Sequence, residues 1–115
     1  MGRAEKEEAE RQAAIQAQIS RIKLPRGDEV FGIVERRVGG SRMIVRCLDG
    51  KTRNARIPGR LKRRLWVREN DIVIIKPWEF AADDKGDVLY KYTPPQVQWL
   101  KKQGHLKKLE EIEEF

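Results

Sequence analysis

The chain has 115 residues, enough for one small domain with tails; 37% of them are charged and the net charge is +7. Its single cysteine, Cys47, excludes a disulfide within the chain and any zinc motif that needs paired thiolates, and fits a reducing compartment. No apolar run approaches the roughly 20 residues that cross a bilayer, and the opening MGRAEKEEAERQ is too acidic for a targeting peptide, so the expectation is a cytoplasmic protein with no membrane partner.

Residues 4–22, AEKEEAERQAAIQAQISRI, are dominated by the helix formers Ala, Glu, Gln and Arg. Their apolar stripe is Ile15, Ile19 and Ile22, too thin to hold a helix against a core. Residues 1–27 are therefore read as a polar tail, flexible and partly helical, closed by Pro25 and Gly27.

From residue 28 the texture changes. Five strand-like runs follow: EVFGIVERRV (29–38), RMIVRCL (42–48), TRNARI (52–57), DIVIIKPWEF (71–80) and DVLYKY (87–92). The turns GGS, DGK and AADDKG link three of the pairs, whereas the connection at 58–70 is long and basic, with room for a helical turn at Leu61–Leu65. Three hairpin-linked strands, a longer connection and two more strands is the order of an OB-type barrel. The expected fold over 28–93 is thus an all-β core, a five-stranded antiparallel OB-type barrel.

Alternation along the strands sends Met43, Val45 and Cys47 inward and leaves Arg42, Ile44 and Arg46 outside. Arg53 falls on the inward side with Ala55 and Ile57, an awkward place for a cation that points to a bulge or the barrel mouth. The fourth strand is apolar on both faces, so its outer face needs a cover. Residues 94–115 are expected to supply it: a short C-terminal helix opened by Pro94 and Pro95, lined by Val97 and Leu100 and stopped at Gly104, then a flexible acidic tail.

Charge is uneven along this frame. Between Lys51 and Arg68 lie eight cations and no acid, a charge of +8 against +7 for the whole chain, so the remainder sums to −1. A charge run is often just solvated surface. Crowded like charges nevertheless oppose compaction, and a polyanion relieves that repulsion, which favours nucleic acid as partner. Phosphate contacts release counterions and bind without reading sequence. The candidate contacts are Lys51, Arg53, Arg56, Arg60, Lys62, Arg63, Arg64 and Arg68, joined by Arg36, Arg37 and Arg42 around Gly39 and Gly40 in the first hairpin.

Trp66 has two readings, a platform for an unstacked base or an apolar anchor for the connection. Trp78 and Trp99 read as packing residues, Cys47 as a small buried hydrophobe, His105 as a lone histidine in a tail, and Asp83, Asp84 and Asp87 as an exposed turn. No nucleophile–base pair, phosphate loop or paired carboxylates occur, so neither an enzyme nor a metal or cofactor is expected. The closing LEEIEEF, with Leu109, Ile112 and Phe115 among acids, is either a solvated tail or a short motif that docks in a partner's groove.

The run RCLDGKTRNARIPGRLKRRLWVREND, continued by IVIIKPWE and then YTPPQVQWLKKQG, resembles the archaeal and eukaryotic translation initiation factor 1A family over roughly Glu29 to Leu106. The resemblance implies an S1-like OB barrel acting as a monomer on the small ribosomal subunit. It would fill the aminoacyl-tRNA site, help place initiator tRNA and messenger RNA at the peptidyl site, and work beside the other initiation factors. It also implies that Arg42, Arg46, Arg53, Arg56, Arg60, Lys62, Arg63, Arg64, Trp66 and Arg68, with the Arg36–Arg42 turn, meet ribosomal RNA and a neighbouring ribosomal protein. The acidic tail is similar in character to one that contacts the initiation GTPase in eukaryotic members. Two rivals stay open: a general single-strand nucleic-acid binder on the same fold, and a protein-interaction adaptor working through its termini.

Overall fold

The computed structural model describes residues 2–62 and 65–107. Five strands, β1 (Val30–Arg37), β2 (Arg42–Cys47), β3 (Thr52–Arg56), β4 (Ile72–Pro77) and β5 (Lys85–Lys91), close into a barrel in the order β1-β2-β3-β5-β4. Helix α1 (Arg3–Ser20) precedes the barrel and α2 (Pro94–Lys102) follows it. The OB-type barrel expected from the strand order is present. A closed ring with an odd number of strands cannot alternate direction at every seam. Here β3 and β5 supply the parallel pair, with Asn54 opposite Lys85 and Arg56 opposite Asp87.

Two apolar clusters organise the packing. Inside the barrel, Val34, Met43, Val45, Cys47, Ala55, Ile57, Val67, Val73, Ile75 and Val88 form the core, as the alternation of β2 predicts for Met43, Val45 and Cys47. Space there is tight: a Cβ on Gly86 would lie 2.6 Å from Ile75 Cγ2, so that position is held to glycine by close approach. The second cluster, Phe31, Ile33, Ile72, Ile74, Tyr92, Leu100 and Leu106, lies on the outer face of β1 and β4. This is the cover that the doubly apolar β4 requires, and it comes from α2 and the turn after it.

The α2 helix starts where Gln96 Oε1 accepts the Thr93 N–H at 2.9 Å and stops before Gly104, whose φ of 80° is the left-handed conformation that suits glycine. His105 is not in a tail. Its ring stacks on Trp99, with centroids 5.8 Å apart, beside Leu106, which is 1% exposed.

The N-terminal segment is helical over part of its length, as its composition predicts: α1 is a continuous helix of 18 residues, none of them buried. Its propensity is local, but its end is fixed from far along the chain. Thr93 Oγ1 donates to Gln18 Oε1 at 2.8 Å, Gln96 Nε2 donates to the Gln18 carbonyl at 3.1 Å, and the Tyr92 hydroxyl donates to the Lys23 carbonyl. Nothing in the composition of residues 3–20 signals those partners.

Candidate nucleic-acid interface

The connection from Ile57 to Asp71 is held by backbone and apolar contacts, which leaves its charges outside. Ile57 N–H donates to the Ser41 carbonyl at 2.9 Å, tying the start of the connection to the first hairpin. A 3-10 turn at Gly59–Leu61 follows, and Leu65 N–H reaches the Leu61 carbonyl at 2.9 Å, the helical turn the sequence leaves room for. Val67 is 3% exposed and joins the inner core, with Leu61 and Leu65 packed against it. At the far end the Asp71 carboxylate accepts the Arg68 N–H at 2.7 Å, and Asn70 N–H donates to the Val34 carbonyl at 2.8 Å.

Trp66 is the exception to this inward packing. It is 67% exposed, while Lys91 Nζ holds its carbonyl at 2.7 Å. Anchorage belongs to Leu61, Leu65 and Val67, which leaves the indole as a platform. The Arg37 guanidinium lies 5.9 Å from the ring centroid and also donates to the Gly40 carbonyl at 3.0 Å. Hairpin and connection thus enclose one open cleft of about 510 Å³, rimmed by Arg37, Arg42, Lys62 and Trp66 and floored by Met43, Ile57, Leu65 and Val67. Nothing in the local sequence around Trp66 signals Lys91 or Arg37 as its supports.

The cations sort by their partners. Arg36, Arg37, Arg42, Arg60, Lys62 and Arg68 are exposed and have no ion pair among the described residues. Arg46 pairs with Glu35 at 3.1 Å, and Lys51 with Asp83 at 3.2 Å. Arg56 sits 4.8 Å over the Trp78 ring and pairs with Asp87 at 3.2 Å, while Trp78 Nε1 donates to the same carboxylate at 2.8 Å. Exposed pairs of this kind hold weakly, so a phosphate competes with the carboxylate at these three positions and not at the first six.

Arg53 is a correction to the candidate set. It is 3% exposed; its guanidinium nitrogens donate to both Asp49 oxygens at 3.1 and 2.8 Å, and Nε donates to the Ala82 carbonyl at 2.6 Å. A cation so enclosed pins the β2–β3 turn to the β4–β5 loop and has no face for a phosphate. The adjacent Cys47 is 1% exposed, and burial pushes its thiol up from the ordinary pKa. Arg63, Arg64, Leu109, Ile112 and Phe115 lie outside the described residues.

The sequence profile of the Translation initiation factor 1A / IF-1 family matches residues 19–114. The chain belongs to the initiation factor 1A family. Among similar proteins, translation initiation factor 1A of Methanococcus aeolicus is 53% identical over 92 residues, covering 78% of this chain and 88% of that protein. The factors of Methanopyrus kandleri and Pyrococcus abyssi are 50% and 47% identical, covering 82% and 77% of this chain and 88% and 79% of theirs. The initiation factor 1A match takes in the whole barrel, the basic connection and α2, and it begins after most of α1. No helix among the described residues is long and apolar enough to cross a membrane.

Proposed function

We propose that this protein serves translation initiation by placing the Arg37–Arg42–Lys62–Trp66 cleft on folded ribosomal RNA of the small subunit, at the aminoacyl-tRNA site. Membership of the 1A family makes it a ribosome-associating factor without catalytic chemistry. The observation that carries the finer reading is the cleft: cations without carboxylate partners among the described residues surround one exposed indole, on a scaffold fixed by the barrel core. Arginine and lysine supply phosphate contacts, and Trp66 supplies a stacking face. The mechanism is occupancy. Filling the site shifts the subunit toward its start-competent state to the extent that the factor binds that state more tightly, and initiator tRNA is affected indirectly, through the neighbouring site.

The test is binding to purified small subunits in competition with unstructured single-stranded RNA across a salt series. The expected result is preference for the subunit that persists at physiological salt. Equal competition, with affinity collapsing as salt rises, would indicate a general single-strand binder. That rival needs a row of stacking platforms, and the cleft has one large exposed aromatic, Trp66.

The closing segment is proposed as the contact with the initiation GTPase, through Leu109, Ile112 and Phe115. Its support is the alternation of acids with apolar residues, and the anchoring of Leu106 in the outer cluster just before it. Truncation after Lys108 should leave subunit affinity unchanged and weaken binding to the purified GTPase by about tenfold or more. Undiminished GTPase binding by the truncated chain would remove this role.

A further inference from the structure

The end of the barrel opposite the cleft carries a surface of the opposite kind. The first hairpin lies at the C-terminal end of β3, where Ile57 meets Ser41, whereas the β4–β5 loop lies toward its N-terminal end, where Lys51 Nζ reaches the Asp83 carboxylate at 3.2 Å. In that loop Phe80 is 84% exposed, more than any other large apolar side chain among the described residues. Around it stand Glu79, Asp83 and Asp84; Lys51 pairs with Asp83 and Lys85 follows in the chain, whereas Glu79 and Asp84 have no ion-pair partner among the described residues.

Phe80 is not displayed by a slack loop. Ala81 holds a left-handed φ of 56°, a conformation that alanine adopts only under restraint, and its carbonyl accepts both Asp84 N–H at 2.9 Å and Lys85 N–H at 2.8 Å. Arg53 grips the Ala82 carbonyl, and Lys51 pairs with Asp83 at 3.2 Å. The Arg53–Asp49 pair, with the guanidinium buried, thus gains a purpose that RNA binding does not give it, holding this loop in shape. A fixed loop presents an aromatic with little ordering cost on binding.

We propose that residues 78–84 form a second contact surface, which seats Phe80 in an apolar pocket of a basic protein on the small subunit. The two unpaired carboxylates, Glu79 and Asp84, disfavour phosphate directly beside Phe80 and complement a positively charged protein surface. The surface rests on the ribosome-bound role given above: with the cleft on RNA, the Phe80 loop at the other end of the barrel is turned toward protein.

The experiment places a photoreactive p-benzoylphenylalanine at position 80 or, separately, at position 66 in the full chain, bound to purified small subunits. Position 80 is expected to label protein and position 66 to label RNA. Labelling of RNA from position 80, or no protein adduct from it where position 66 does label, overturns the proposal. Phe80→Ala, which removes no buried contact, should lower subunit affinity by about tenfold with the slope of log affinity against log salt unchanged. Wild-type affinity in that variant also overturns it. If the unaltered protein fails to bind subunits at all, the proposed function falls and this surface falls with it.

Discussion

Replacing Arg42 and Lys62 together by glutamate is expected to weaken small-subunit binding at physiological salt by at least about 100-fold, with the fold intact. Both side chains rim the cleft, both are exposed, and neither has an ion-pair partner among the described residues. The loss therefore falls on the complex and not on the free protein. Arg42 stands directly across from Arg56 in the β2–β3 ladder, a like-charge pairing that opposes strand association. Reversing Arg42 turns that repulsion into attraction, so thermal stability should hold or rise slightly.

The salt series separates this from a general loss of affinity. Each phosphate contact removed lowers the slope of log affinity against log salt by about 1, so the double variant should lose roughly 2. Affinity within a few-fold of wild type at physiological salt would show that the cleft does not meet RNA. The interface would then have to be sought farther along the same face of the sheet, beyond the cleft, at Arg46 and Arg56.

How far the sequence carries this reading depends on the range of the interactions involved. The parity of β2 is local, and it places Met43, Val45 and Cys47 in the core without reference to anything distant. The double apolarity of β4 announces a missing neighbour, and the segment with helical spacing after Pro94 and Pro95 fills that place. Parity also puts Arg53 inside, and the misfit of a cation there is legible. Its resolution is not, because Ala82 is 29 residues away and reaches Arg53 only through the parallel seam between β3 and β5. Trp66 is ambiguous for the same reason: whether an indole beside Leu65 and Val67 turns in or out is decided by Lys91 and Arg37. The docked end of α1 depends on Gln96, 78 residues from Gln18. Local pattern fixes faces and turns, whereas long-range polar contacts decide which members of a charge cluster remain available to a ligand.

Arg53 provides the sharpest division between structural and binding cations. Arg53→Ala is expected to cost about 2–3 kcal/mol of stability, below the 3–5 kcal/mol typical when a fully buried pair is broken, because Asp49 is 32% exposed and regains water. The Ala82 carbonyl loses its charged donor as well. Arg53→Lys keeps the charge but not the fork that spans both Asp49 oxygens and Ala82, so it should fall between the two. Burial raises the Asp49 carboxyl, but hydrogen bonds from the Arg53 guanidinium and the Lys51 N–H outweigh it, leaving its pKa below the ordinary carboxylate value. A carboxylate depressed by folding stabilises the protein above its unfolded pKa, and that contribution fades as pH falls through the folded one. The gap between wild type and Arg53→Ala should therefore be full at neutral pH and shrink below about pH 4, measured by urea unfolding at each pH. Subunit binding by the folded variant should keep the wild-type salt slope. Wild-type stability with a reduced slope would instead return Arg53 to the RNA surface, and would mean that the Asp49 pair opens when the factor binds.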